Sequence, residues 1–525
     1  MSEIPVNPEL KRTMLKRMMC IRRFEEEVKR LYRADEDGED TVFRRLSLPV
    51  RLTWDGRDSD LNPTRGLYGD VTASPFLGFS GTGSGIRLTG DARGYLPLGG
   101  GGTVLAGRLQ MGSVFGPSLA DTPRDDLFYS GGTIILDHGQ GLTSTFLHLS
   151  EVLHTAVSKP HALYRPLDKA LDPDVGDKVS FTTKEGELTL NEYVVHPNHR
   201  VQAVVMVHKG KVVYETYPGM NPTDQHVWMS PGKTTVALVI AQMEAEGKID
   251  MSKEVIDYIP EFKGTNWDGI KMIDAANMAT ALQLEETLEA IVDPGSIIVR
   301  FFSAEFGAPN PATGKVEDWL SILKEAEKIE GEEPGYRFRY SSAVTQIFVV
   351  IAERIENKTW AKIFEERVWG NMTARLSMQH HLTPDGTSVA HGLLSTTAED
   401  FARFGMLFTP SWDKAAVKPV VSAEVLKRLQ TAGSPEAYRR GAKYEGQKAD
   451  FGESPLMNSY QFDGVFEDGA LWKHGNLGQG IYIDPVRDFV GVYFSTNGYI
   501  PPYGEDKMPG YLRRAAKQLA GGRAL

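Results

Sequence analysis

The sequence predicts an α/β (α+β) protein: an antiparallel sheet flanked by helices with a helical subdomain, preceded by a β-rich N-terminal region. Three observations predict it. Apolar strand patterning around short turns occurs at 201–215 and returns at 478–498. Mostly helical and loop sequence lies between them, from about 250 to 440, so the sheet is assembled from distant parts of the chain. Ahead of both, residues 43–125 are rich in glycine and short apolar stretches. With 525 residues the chain exceeds the roughly 250–300 at which one core stops growing, so more than one domain is expected. The divisions read from sequence are an N-terminal amphipathic helix within 1–40, a β-rich module or extension at 41–190, and the principal domain at 191–525.

The elements follow in order. From Pro8 to Arg33, Leu10, Met14, Met18, Ile21, Phe24, Val28 and Leu31 recur at three- and four-residue steps between charged residues, which predicts one amphipathic helix. Residues 43–125 read as loops and short strands, and "GGTIILDHGQGLTSTFLHLSEVL" (131–153) as two strands flanking a turn. "VQAVVMVHKGKVVYE" is a hairpin turning at Lys-Gly-Lys. An apolar helix opens near Ser230, and a second runs from about Tyr340 to Ile355. "GQGIYIDPVRDFVGVYFSTNG" is a strand pair turning at "DPVRD", and "MPGYLRRAAKQLAGG" a closing helix stopped by glycine.

Composition narrows the functional classes. Hydrophobic residues make up 41% of the chain and charged residues 24%, enough for a sizeable core. A net charge of −11 argues against nucleic acid and anionic membrane surfaces as partners. The single cysteine, Cys20, excludes an intramolecular disulfide and suits a reducing compartment. Neither a signal peptide nor an apolar run long enough for a transmembrane helix is visible, so the expected location is the cytoplasm.

Three motifs carry chemistry. Ser230 precedes Lys233 by three positions at the start of an apolar helix, so hydroxyl and amine share a face. A serine is a weak nucleophile until a base takes its proton, and a lysine serves only if burial or a positive neighbour lowers its pKa. Pro231 suits the first helical position, which leaves the Ser230 N–H free to face a developing oxyanion. Alone, Ser-x-x-Lys is weak: a chain of this length contains roughly two by chance. Tyr340, in "PGYRFRYSS", stands at a turn-to-helix junction from which a phenol can relay protons. "LWKHGNLGQGIYIDP" opens a strand in which Gly475 lets substrate lie against the backbone and the Asn476 N–H completes an oxyanion hole. Lys473 adds positive charge there.

In this order, "SPGK", "YSS" and "KHG", 110 and then 133 residues apart, resemble the boxes of the penicillin-recognising serine hydrolases. That group holds class C β-lactamases, D-alanyl-D-alanine peptidases, D-aminopeptidases, esterases and 6-aminohexanoate-dimer hydrolases. Flanking segments such as "HGLLSTTAEDFARFGML" extend the resemblance over roughly 195–520. It implies a β-lactamase/transpeptidase-like fold and an acyl-enzyme on Ser230, with Lys233 as base and Tyr340 as proton shuttle. It further implies that the amides of Ser230 and Asn476 form the oxyanion hole, and that Lys473, His474, Gly475 and Ser342 contact substrate. No metal and no cofactor are implied. The partner is a small amide or ester, with a homo-oligomer left open. Ser342 stands where asparagine is common and His474 where threonine or serine is common, which points toward amidases or esterases rather than a dedicated β-lactamase. The same two departures leave open a catalytically silent binding protein on this fold.

The first 190 residues carry weaker resemblances. "LKRTMLKRMMCIRRFEEEVKRLYR" looks like the first helix of pyruvate-dehydrogenase-type alpha subunits, without the thiamin motif. Residues 97–165 faintly resemble lysostaphin-type zinc endopeptidases. That family's first ligand pair has no counterpart upstream of His138, and "His161-Ala162-Leu163" lacks the second histidine, so no zinc is expected there. A natural fusion, a diverged accessory domain and an engineered chain all fit this N-terminal patchwork.

Overall fold

The structure is a computed structural model. It describes residues 29–34, 40–47, 49–57, 65–79, 84–98, 103–115, 145–151, 153–310, 312–497 and 506–521. The chain divides into two compact units, Met1–Thr133 and Ile134–Leu525.

The first unit is a six-stranded antiparallel sheet: β1 (Lys29–Ala34), β2 (Asp40–Ser47), β3 (Val50–Asp55), β4 (Gly66–Phe79), β5 (Gly85–Leu98) and β6 (Thr103–Phe115). The order is β1-β2-β4-β5-β6, and β3 also pairs with β4. Two expectations change here. The helix expected over Pro8–Arg33 falls on residues outside the described set up to 28, and its end, Lys29–Arg33, lies in β1. The expected short strands are long ones: β4 and β5 each run 14 residues.

Their two-residue period is hidden in sequence because small residues interrupt it. In the pairing, Leu67 faces Gly94, Gly69 faces Ala92, Val71 faces Gly90, and Ala73 faces Leu88. Leu67, Val71, Leu77 and Leu96 are each more than half exposed. Val50 and Leu52 of β3 join the same face opposite Ala73 and Val71. The other face is ionic: Asp70 accepts from Arg51 Nε (2.5 Å) and Thr53 Oγ1 (2.6 Å), and Arg93 pairs with Asp91 at 2.7 Å. The guanidinium groups of Arg57 and Arg93 lie 4.9 and 5.2 Å from the Tyr68 ring centre. One face of β3–β5 thus carries exposed apolar side chains and the other the ion pairs, where Arg51 is exposed as well.

The second unit starts earlier than the expected boundary near 190. Its strands are β7 (Thr155–Ser158), β8 (Asp168–Lys169), β9 (Ser180–Thr183), β10 (Gly186–Thr189), β11 (Val201–His208), β12 (Lys211–Thr216), β13 (His226–Val227), β14 (Met378–His381), β15 (Leu394–Thr396), β16 (Met457–Ser459), β17 (Phe462–Val465), β18 (Leu471–Gly475), β19 (Gln479–Asp484) and β20 (Phe489–Ser495). An eight-stranded sheet runs β16-β17-β18-β19-β20-β11-β12-β8, antiparallel except for the β12–β8 pair. A smaller sheet runs β13-β15-β14-β7. The strand pair expected at 131–153 is absent from its described end, where Thr145–Leu147 and Leu149–Glu151 are short helical turns; residues 131–144 lie outside the described set.

The β11–β12 hairpin turns through Lys209 and Gly210, both at positive φ (49° and 74°), which matches the twist of a tight hairpin. β11 then pairs with β20, Val204 facing Tyr493 and Met206 facing Gly491, which joins the two distant strand segments in one sheet. Along β11, Ala203, Val205 and Val207 enter one core, and Val201, Val204 and Met206 the other. Both sheet faces are covered, so the strand reads as a continuous apolar run. Four helices matter for the site: α1 (Lys233–Ala245), α2 (Ser342–Glu356), α3 (Ala398–Met406) and α4 (Met508–Leu519). α3 packs on β11, β19 and β20 through Phe401 and Phe404, and α4 covers the other face with Tyr511 and Leu512. Each such side chain contributes about 1.5–3 kcal/mol by leaving water.

Candidate active site

α1 is buried nearly all round, with Leu238, Val239, Ile240 and Met243 inside the core, so its first turn is held rigidly. β13 leads into it. The indole of Trp228 stacks on Phe401 (4.1 Å between ring centres) and donates to Thr396 Oγ1 at 2.7 Å. Met229 then takes φ 53°, ψ −142°, a conformation that costs on the order of 1–3 kcal/mol and reverses the chain. Ser230–Gly232 form a 3₁₀ turn before α1 proper. Ser230 is thereby half-buried at a helix entrance, one turn ahead of Lys233.

Lys233 is fully buried, with three partners. Its Nζ lies 2.8 Å from Ser342 Oγ, 2.9 Å from the His391 carbonyl oxygen and 3.1 Å from Ser230 Oγ. The carbonyl can only accept. A neutral amine spends its two N–H groups on His391 O and Ser342 Oγ, and its lone pair then faces the Ser230 O–H. Burial lowers the lysine pKa to about 8; Glu286 opposes this and Lys443 assists it. A group at this pKa is neutral in a useful fraction near physiological pH.

Tyr340 ends the loop before α2, which Ser341 caps by accepting from Val344 N–H. Burial, with the charges of Asp463 and Glu286, pushes the Tyr340 phenol well above its ordinary pKa, and the Ser230 side chain opposes this. Three lysine amines surround the ring: Lys443, Lys473 and Lys233 at 3.3, 4.5 and 5.0 Å from its centre. The phenol is therefore a neutral donor that can pass its proton and take one back, rather than a resting phenolate.

β18 lies beside the nucleophile turn. A Cβ on Gly475 would stand 2.5 Å from Pro231 Cδ and 2.9 Å from the Trp228 carbonyl oxygen, so only glycine fits this approach. Lys473 points to Tyr340 (3.5 Å to its hydroxyl) and pairs with Asp463 at 2.6 Å, both fully buried. Burial opposes the Asp463 charge, but Lys443 and Lys473 outweigh it and hold the carboxyl below its usual range.

The sequence-derived residues thus divide. Ser230, Lys233, Tyr340, Ser342 and Lys473 are linked by contact, and Gly475 abuts the turn. Asn476, next in chain, is exposed, its carbonyl accepting from Gln479 Nε2. His474 differs: its imidazole turns to the other sheet face, 3.3 Å from Asp506, because strand side chains alternate. Only its backbone N–H, donated to Asp463, joins the cluster. Ser342 is buried, and its hydroxyl lies on the Lys233 amine.

Several contributors escaped the sequence reading. Asp463 clamps Lys473, and Glu286 accepts the Ser342 N–H. The buried Glu305–His391 pair (2.9 Å) positions the carbonyl that holds Lys233. His391 opens the "HGLLSTTAEDFARFGML" segment, but nothing in its spacing marks a main-chain role.

The chain is similar to known proteins over most of its length. Residues 196–512 match the Beta-lactamase family model, and residues 17–136 match the Omp85 superfamily domain model, which differs from either resemblance drawn for the N-terminal region. A 6-aminohexanoate-dimer hydrolase of Paenarthrobacter ureafaciens is 27% identical over 298 residues, 56% of this chain and 72% of that protein. A solved Bacillus anthracis structure assigned as a 6-aminohexanoate-dimer hydrolase aligns with TM-score 0.57 and 21% identity, covering 74% of this chain and 96% of that one. The hydrolase EstCE1 aligns with TM-score 0.44 and 16% identity, covering 61% of this chain and 94% of its own. Among the described residues no helix is long and apolar enough to cross a membrane. By its match over residues 196–512, the chain belongs to the beta-lactamase family of serine hydrolases.

Proposed function

We propose that the protein cleaves an amide or ester bond of a small molecule or short peptide through an acyl-enzyme on Ser230. The observation that carries the reading is the Lys233 amine, buried, lowered to a pKa of about 8 and 3.1 Å from Ser230 Oγ. In this reading neutral Lys233 takes the Ser230 proton as the oxygen attacks the carbonyl. The N–H groups of Ser230 and Asn476 stabilise the oxyanion. Tyr340 donates its proton to the leaving amine or alkoxide and recovers the proton that Lys233 took from Ser230. Water then hydrolyses the ester, the same groups working in reverse. The kinship with 6-aminohexanoate-dimer hydrolases favours linear amides joining amino acids without an α-substituent.

The test is turnover of a panel of linear amides, p-nitrophenyl esters and β-lactams by the full chain and by Ser230→Ala. Activity on at least one substrate class, lost in the variant, supports the reading. Activity that survives Ser230→Ala at the parent rate overturns it, and inertness toward the whole panel returns the silent binding protein.

The N-terminal sheet favours a second reading, of location. One face carries exposed apolar side chains along β3, β4 and β5, and the other carries the ion pairs, the alternation of a strand between lipid and a polar interior. A bilayer needs about 9–11 tilted residues per strand, and β4 and β5 have 14 each. A membrane-bound unit therefore replaces the cytoplasm as the proposed setting. Fractionation of the full chain tests this: release from membranes only by detergent supports it, and full recovery without detergent in the soluble fraction contradicts it.

A further inference from the structure

A cluster of metal-ligating side chains lies away from Ser230, in the second unit. The β9–β10 hairpin turns at Lys184–Glu185, where the Glu185 N–H donates to Thr183 Oγ1 (3.1 Å) and Thr183 Oγ1 donates to Gly186 O (2.8 Å). Facing that turn is the loop between the helix Leu190–Val195 and β11, which carries His196 and His199. Glu185, His196 and His199 each offer a ligand atom, and the three atoms lie within 4.8 Å of one another.

His199 is the decisive member. It is 3% exposed, and its Nε2 is buried without a hydrogen-bond partner. That nitrogen points at the Glu185 carboxylate, 3.5 Å from Oε2. Its ring is locked by stacking on Tyr193 at 3.8 Å with an interplanar angle of 14°. The Glu185 contact is an ion pair and not a hydrogen bond, so the buried nitrogen's hydrogen-bonding capacity is unmet. His196 is partly committed: its Nδ1 accepts a long 3.4 Å bond from the Asn198 N–H. Glu185 Oε1 is oriented by Asn198 Nδ2 at 3.0 Å. One carboxylate oxygen and two imidazole nitrogens thus converge, from an exposed, a half-exposed and a buried residue.

We propose that Glu185, His196 and His199 bind one first-row divalent transition metal, zinc being the best match to two imidazoles and a carboxylate. The sequence reading expected no metal, because it sought ligands only where a family pattern placed them. Zinc takes such ligands at about 2.0–2.2 Å in a tetrahedron, which sets ligand atoms roughly 3.3 Å apart. The set must therefore close by up to about 1.5 Å. Exposed Glu185 and half-exposed His196 supply that movement while His199 stays fixed. Three protein ligands leave the fourth position to water. The ion joins the β9–β10 hairpin to the segment entering β11, and its expected role is to hold that corner, since the Ser230 mechanism needs no metal.

The test uses the full chain, stripped with chelator and dialysed, and titrated with zinc chloride by calorimetry. Cobalt(II) serves as an absorbing substitute. The expected result is one equivalent bound at micromolar or tighter Kd, a raised melting temperature, and the intense visible bands of four-coordinate cobalt. His196→Ala and Glu185→Gln, both at the surface, should each weaken binding tenfold or more. His199→Gln should abolish it, and the two surface variants keep the test valid if that one misfolds. No saturable binding below about 1 mM, or unchanged binding in the His196 and Glu185 variants, overturns the proposal.

Discussion

The hydroxyl of Ser342 lies 2.8 Å from the amine of Lys233, closer than Ser230 Oγ at 3.1 Å. The amine is thus held between two serines; in the proposed mechanism Ser342 orients it and Ser230 is the one it activates. Ser342→Ala removes an acceptor for one amine N–H and frees the lone pair to rotate off Ser230. A loss of about 1–1.5 kcal/mol of orientation corresponds to roughly a tenfold lower kcat, with KM little changed. Steady-state kinetics on an ester substrate measure it.

In the proposed mechanism Lys233 acts only as the neutral amine, and burial lowers its pKa to about 8. Below that value the protonated fraction grows and kcat/KM should fall about tenfold per pH unit; above it the rate should level off. Tyr340, raised well above its ordinary value, keeps its proton across this window and adds no descending limb below pH 9. Lys233→Arg keeps the charge but cannot lose its proton, so kcat should drop by 10²–10⁴. A pH–rate profile of the acylation step checks both statements.

Gly475→Ala places a methyl 2.5 Å from Pro231 Cδ and 2.9 Å from the Trp228 carbonyl oxygen. Backbone must shift at the turn that presents Ser230. The expected cost is about 1–3 kcal/mol in stability and at least 10² in kcat, with the protein still folded. Thermal melts beside kinetics separate the two effects.

Asp463→Asn leaves Lys473 without its buried counter-charge, which should destabilise the fold by about 3–5 kcal/mol. The sign of the matching pH effect follows from the lowered carboxyl pKa. The wild-type pair stabilises above the unfolded carboxyl value of about 3.9, and that contribution is lost as pH falls through the lower folded value. Denaturant titrations at pH 7 and below 4 should show the variant and parent converging in acid.

The positions of Ser230, Lys233, Tyr340 and Lys473 were legible in sequence because chain chemistry announces their elements: Pro231 at a helix start, the turn before α2, the glycine-bearing strand β18. The hairpin at Lys209–Gly210 and the closing helix α4 were legible for similar reasons. Asp463, Glu286 and the His391 carbonyl were not, since each acts through a contact more than nine residues distant or through main chain, which no local period encodes. His474 was misread because a motif position says nothing about which face of a strand a side chain takes. In the N-terminal sheet, Gly69, Ala73, Gly90 and Gly94 stand among the apolar positions of β4 and β5, so a period-2 pattern looked like glycine-rich loop.

The central claim is a covalent ester on Ser230. Intact mass spectrometry of the full chain, quenched in acid after brief exposure to an activated ester, reads it directly. The account predicts a mass increase of one acyl group per chain, mapped to the peptide holding Ser230 and missing in Ser230→Ala. Turnover of that ester with the label on another residue, or with the adduct retained in Ser230→Ala, would contradict it.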